Sequence, residues 1–181
     1  MNSASVIARV KEFEGYVPYM YRCTGGEVTI GAGHAILAVA DAGKLAWGIG
    51  GAPATAQQAQ SDFAKVAAAP IGWVAGGYEN LTECRMSADD IDSLLLADVA
   101  LFEAKLAAAL PRWASYPEAA QEALFDMGYN LGVGGLLKFH QLLAAVAAGQ
   151  WTAAAAQCHR MGIGDARNQA TANLFLQAAN A

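Results

Sequence analysis

A chain of 181 residues is long enough for one compact domain with a real core, and a charged fraction of only 15% excludes a disordered chain. The net charge of −5 and a pI near 5.1 leave no global basic field for nucleic acid. The mean hydropathy of +0.26 comes largely from alanine, the best helix former, and so points to Ala-rich helices before it points to a membrane.

The N-terminal segment MNSASVIARVKEFEG mixes apolar and charged residues and contains no apolar signal core, which implies a protein made in the cytoplasm without an export signal. Val6, Ile7, Val10 and Phe13 recur at helical spacing, predicting a helix over 3–14 that Gly15 ends in the left-handed conformation. From Tyr19 to Ile30 the pattern changes to strand formers around the turn residues Thr24-Gly25-Gly26, which predicts a short hairpin. Residues 35–86 are harder to read: Gly48 to Pro53 is loop, Ala56 to Ala68 is compatible with a helix, and Gly72 to Asn80 is loop again.

Beyond that point the chain is helical. Ser87 and Asp90 form a capping box ahead of a helix over Ile91 to Leu110, closed by Pro111, and Pro117 starts a helix running from Ala119 to Leu131. Helices over Leu136 to Ala148 and Thr152 to Arg160 follow, then a last one begun by Asp165. The stretch Phe139 to His159 lacks Lys, Arg, Asp and Glu, but polar residues and Gly149 interrupt it, so it is read as two packed helices with no membrane span. Helix, small sheet and then many helices define an α+β class, mostly helical.

Three cysteines, Cys23, Cys84 and Cys158, make an odd set without a CxxC pair, so neither a disulfide framework nor a zinc site is expected, and no metal or cofactor is implied. The chemistry gathers at Glu14, Cys23 and Thr29. Glu14 ends the first helix, where the partial negative charge of the carbonyl ends favours a protonated carboxyl, the form needed by a general acid. The hairpin carries Cys23 and Thr29 back across from it, where a second group manages a water or a nucleophile. Against this stand ordinary readings: a helix-end glutamate is usually a solvated surface residue, and threonine is a strand former.

The run Glu14-Gly15, Tyr21-Arg22-Cys23 and Gly26 to His34 resembles the phage-type lysozymes, glycoside hydrolase family 24, whose signature is Glu, eight residues, Asp or Cys, five residues, Thr. Glu14, Cys23 and Thr29 fit it without a gap, and Thr29 to His34 matches the TIGxGH that follows. Phe125 to Gly132 resembles the family segment that faces the sugar, with Asn130 and Tyr129 as substrate-binding positions, and Arg167 resembles the arginine that pairs with the catalytic glutamate. The usual Arg-Arg pair is reduced to Arg167 alone, and the middle segment is longer and more glycine-rich than in minimal members.

The resemblance implies a lysozyme-like fold over 1–181, with a small β-hairpin lobe near 15–86, a larger helical lobe near 87–181, and helix 3–14 packed on the latter. It also implies an N-acetylmuramidase cutting the β-1,4 bond between N-acetylmuramic acid and N-acetylglucosamine in peptidoglycan. Glu14 would be the acid, Cys23 and Thr29 would hold the attacking water, and the product would be inverted; a covalent route through the Cys23 thiolate stays open. His34 is read as a supporting or structural histidine beside a carboxylate, and the tryptophans chiefly as core. The expected carrier is a holin-released endolysin or a secreted antibacterial effector, the latter with an immunity protein and a secretion-machine partner, acting as a monomer on the cell wall. The competing functions are a non-catalytic peptidoglycan-binding module on the same fold and a related β-1,4-glycosidase acting on chitin oligomers.

Overall fold

In the computed structural model, residues 1–181 are described throughout except for the side chain of Glu14. The chain divides into two compact units, Val10–Asp98 and Met1–Arg9 with Val99–Ala181. Helices α1 (Ser3–Glu14) and α4 (Ala88–Ala109) each contribute to both.

The unit Val10–Asp98 is built around a three-stranded antiparallel sheet in the order β1-β2-β3, with β1 at Val17–Arg22, β2 at Val28–Gly31 and β3 at His34–Ile36. Gly15, at φ +80°, turns the chain out of α1 into β1 as its position predicts. Tyr21 pairs with Thr29 and Arg22 with Val28, and the register shifts between Tyr21 and Val17, which pairs with Gly31. The third strand was not foreseen; Gly31 and Gly33, both at positive φ, fold the glycine-spaced run back into β3. Gly48 to Pro53, expected to be loop, closes instead as a tiny ladder of β4 (Gly48–Ile49) and β5 (Ala52–Pro53) around Gly50-Gly51, both at positive φ.

A short helix α2 (Val39–Ala42), helix α3 (Ala56–Ala68) and a 3₁₀ turn at Ala75–Leu81 complete the unit. Helix α3 starts with the capping box of Thr55 and Gln58. The core collects Met20, Val28, Ile30 and Ile36 from the sheet with Trp47, Val66, Tyr78, Met86 and Ile91. Trp47 is core, its indole N–H donating to the Ala42 carbonyl at 2.8 Å.

The second unit is helical: α5 (Glu118–Leu136), α6 (His140–Ala147), α7 (Trp151–Gln157) and α8 (Asp165–Ala178), after a 3₁₀ turn at Trp113–Ser115. Helix α5 is buried continuously from Ala120 to Gly128, which fits a central helix rather than a one-faced surface helix. Its expected end at Leu131 coincides with a break at Gly132, where φ is +72°. Helix α8 packs against α5 and α7, burying Leu174, Phe175 and Ala178. No helix is long and apolar enough to cross a membrane among the described residues.

Candidate active site

The first hairpin sets out the candidate side chains by its register. Side chains alternate between faces along a strand, so Tyr21 and Cys23 share a face, as do Thr29 and Glu27, and the Tyr21–Thr29 pairing puts the two sets together. The turn confirms the register where the strands end: Cys23 N–H donates to the Glu27 carbonyl at 3.0 Å, and Gly26 N–H to the Cys23 carbonyl at 2.9 Å. Gly26 holds φ +94°, a left-handed position that a glycine fills without strain. Arg22 secures the hairpin from outside, its guanidinium donating to the carbonyls of Gly26 at 2.9 Å and Ala69 at 2.7 Å.

Cys23 is half-buried and its thiol lies 3.0 Å from Glu27 Oε2. Thr29 is buried at 3% exposure, and its hydroxyl donates to the Glu27 carbonyl at 3.2 Å. That bond uses the single hydroxyl proton and leaves acceptor capacity on the oxygen. The hydrogen bond from Cys23 holds the Glu27 carboxyl below its ordinary pKa. Glu27 was not singled out from the sequence, although an acidic residue two positions from Thr29 shares its face by the same alternation. Glu14 ends α1, and its side chain lies outside the described residues.

His34 sits at the start of β3 with Nδ1 at 2.8 and 3.0 Å from the two oxygens of Asp98, both side chains half-buried. This is a histidine fixed by a neighbouring carboxylate. A groove of about 690 Å³ in the same unit is lined by Trp47, Gly48, Pro53, Arg85 and Asp90 among others, and neither Cys23 nor Thr29 lines it. Among the described residues, no three of His, Cys, Asp and Glu converge on a metal-binding position.

In the helical unit, Arg167 is buried and paired with Asp126 of α5, Nη2 at 2.9 Å and Nε at 3.0 Å from Oδ1. The expected pairing of Arg167 with Glu14 falls on a side chain outside the described residues. Asp126 also takes Arg160 Nη2 at 2.7 Å and the Thr171 hydroxyl at 2.7 Å on Oδ2. Asn168 clasps Arg160 through both its backbone N–H and its carbonyl, each at 3.0 Å. Burial pushes the Asp126 carboxyl up, but the Arg160 charge, the Thr171 hydrogen bond and the Arg167 charge together hold it below its ordinary value. Two arginines share one buried carboxylate, so loss of Asp126 would leave buried positive charge uncompensated.

Asn130 lies two residues before the Gly132 break in the same helix, and its Oδ1 accepts a long contact of 3.4 Å from Arg160 Nη1. Tyr129 stacks on Phe125, ring centroids 5.4 Å apart, and meets Phe102 edge-on. Neither Asp126 nor Arg160 was foreseen. The signal for Asp126 was its place in the otherwise apolar run Ala123 to Gly128; Arg160 sits between helices with no periodicity to flag it.

An α+β, mostly helical molecule with a small sheet carrying a Cys-Thr hairpin has the lysozyme-like architecture. The sequence profile of the phage lysozyme family matches residues 50–173, about two thirds of the chain, and the chain belongs to that family. Its general class is therefore that of the glycoside hydrolases that degrade the peptidoglycan of the cell wall. The match takes in residues 50–86 of the middle segment, and it leaves out the hairpin that carries Cys23 and Thr29. No curated protein matches the chain closely enough to add a relative.

Proposed function

We propose that the chain is an N-acetylmuramidase that cuts the β-1,4 bond between N-acetylmuramic acid and N-acetylglucosamine, with residues 1–181 acting as one catalytic domain. Glu14 donates a proton to the glycosidic oxygen, while the Cys23 thiol and the Thr29 hydroxyl hold the attacking water on the opposite face of the sugar, so that the anomeric centre inverts. Tyr129 and Asn130 bind the glycan, and His34 and Arg167 support the machinery. The protein acts on the cell wall as a released endolysin or a delivered effector.

The observation that carries this reading is the hairpin register, which puts Cys23 and Thr29 on one face of a phage lysozyme family member at the signature spacing from Glu14. The test is lysis of outer-membrane-permeabilised cells by wild type and by Glu14→Gln, with mass spectrometry of the released muropeptides. Lysis lost in the variant, and wild-type products ending in reducing muramic acid, support the muramidase. Wild-type binding without lysis would instead point to a non-catalytic wall-binding module, and products with other reducing ends would reject the assigned bond.

A further inference from the structure

Inversion requires a group that finally keeps the proton of the attacking water, usually a carboxylate. A threonine hydroxyl is a poor proton acceptor, and a neutral thiol is only a weak one. Cys23 and Thr29 can therefore hold a water, but the pair lacks an ordinary base. The structure supplies a carboxylate at this point. Glu27 Oε2 lies 3.0 Å from Cys23 Sγ, and the backbone carbonyl of Glu27 is fixed by hydrogen bonds from both Cys23 N–H and the Thr29 hydroxyl.

The intervening Gly25 leaves room for this contact. A Cβ on Gly25 would stand 2.5 Å from Glu27 Oε2 and 3.5 Å from Cys23 Sγ, so a larger residue there would push the end of the Glu27 side chain away from its place beside the thiol. Gly25, unlike Gly26, is not held at positive φ, so its backbone alone gives no reason for glycine. Glu27 is solvent-exposed.

We propose that Glu27 is the base of the reaction, taking the proton of the attacking water through the thiol of Cys23. This rests on the assignment of Glu14, Cys23 and Thr29 given above. As the water oxygen bonds to the anomeric carbon, one water O–H bond breaks and its proton passes to Sγ. The Sγ proton passes in turn to Glu27 Oε2, so the thiol is restored. The bond from the anomeric carbon to the leaving oxygen breaks, and that oxygen takes the proton of Glu14. Glu27 ends protonated and Glu14 ionised, and exchange with solvent resets both.

The test uses the full chain on purified peptidoglycan sacculi, with folding checked by circular dichroism. Glu27→Gln is expected to lower kcat by roughly 10²–10⁴, the usual contribution of a general base, with KM little changed. In a Cys23→Asp background, where a carboxylate contacts the water directly, the same substitution is expected to cost less than about fivefold. Formate is expected to restore turnover in Glu27→Ala by replacing the lost carboxylate, and this result stands whether or not Cys23→Asp is active. Wild-type turnover in Glu27→Gln beside an inactive Glu14→Gln would overturn the role of Glu27 alone. Equal losses in both backgrounds without formate rescue would reduce Glu27 to a turn-stabilising residue and overturn it likewise. An active Glu14→Gln would sink the underlying assignment instead.

Discussion

Three cysteines share one chain, but their surroundings set them apart. Burial and the neighbouring Asp62 carboxylate push the Cys84 thiol up to about 12, and burial raises that of Cys158 as well. Cys23 is half-buried and sits on the hairpin face beside Thr29 and Glu27. Because the thiolate is the reactive form and requires access, iodoacetamide is expected to modify Cys23 first and to inactivate the protein in step with that single modification. Peptide mapping checks this; full activity after complete Cys23 labelling, or in Cys23→Ala, would make the thiol a bystander.

Asp126 poses the opposite case, a charge that solvent does not reach. Its partners Arg160 and Arg167 are both buried, and the guanidinium Nε of Arg160 has no hydrogen-bond partner, so the group depends on Asp126 for its neutralisation. Removing one member of such a set leaves uncompensated buried charge, and Asp126→Asn is expected to cost about 3–5 kcal/mol, read as a lower Tm. The pH dependence follows from the depressed pKa. The unfolded carboxyl titrates near its ordinary value of about 3.9 and the folded one below it. The stabilisation is therefore complete above the unfolded value and is lost as pH falls through the folded one. A Tm series from pH 7 to pH 2 is expected to fall steeply at its acid end in wild type and less so in Asp126→Asn.

At the scale of elements, the sheet of the first unit depends on glycines at positions where a side chain adds strain. Gly31 ends β2 at φ +66°, and a Cβ there would approach Ile91 Cγ2 of α4 to 2.9 Å. Gly31→Ala adds left-handed strain of about 1–2 kcal/mol to that clash and is expected to lower Tm by at least several degrees. An unchanged Tm would mean that α4 yields freely at this contact. The same dependence explains which elements could be read in advance. The helix over 3–14, the hairpin, the helix over 56–68 and the helices after Ser87 carry period, caps and turn residues in their own sequence. Strands β3, β4 and β5 are two or three residues long, too short for period 2 to register, and exist because neighbouring glycines fold the chain onto a paired strand.

The candidate site divides in the same way. Cys23 and Thr29 could be placed on one face of a hairpin because the turn residues Thr24-Gly25-Gly26 fix where the strands reverse, and Glu14 was marked by the family resemblance alone, its side chain lying outside the described residues. Asp98 and Arg160 were not visible, because their partners, His34 and Asp126, lie 64 and 34 residues away and no local pattern marks them. Glu27 was overlooked although its neighbour was not: the alternation that places it beside Cys23 was legible, but an exposed acidic residue near a turn ordinarily has no partner at all.

For the molecule as a whole, an acidic protein directed at an anionic polymer gains nothing from long-range attraction. Binding must come from local contacts with sugar, and activity on sacculi is expected to rise as salt screens the repulsion, up to moderate ionic strength. A steep fall with the first additions of salt would reveal a basic docking face that the net charge does not suggest.

The proposed reaction depends before all else on proton donation from the end of the first helix. The most direct measurement is the rate of sacculus hydrolysis by Glu14→Gln against wild type, at matched folded concentration and with the reducing ends identified. A loss of at least about 10²-fold in kcat, with sugar binding retained, is the result predicted; hydrolysis at the wild-type rate would contradict it.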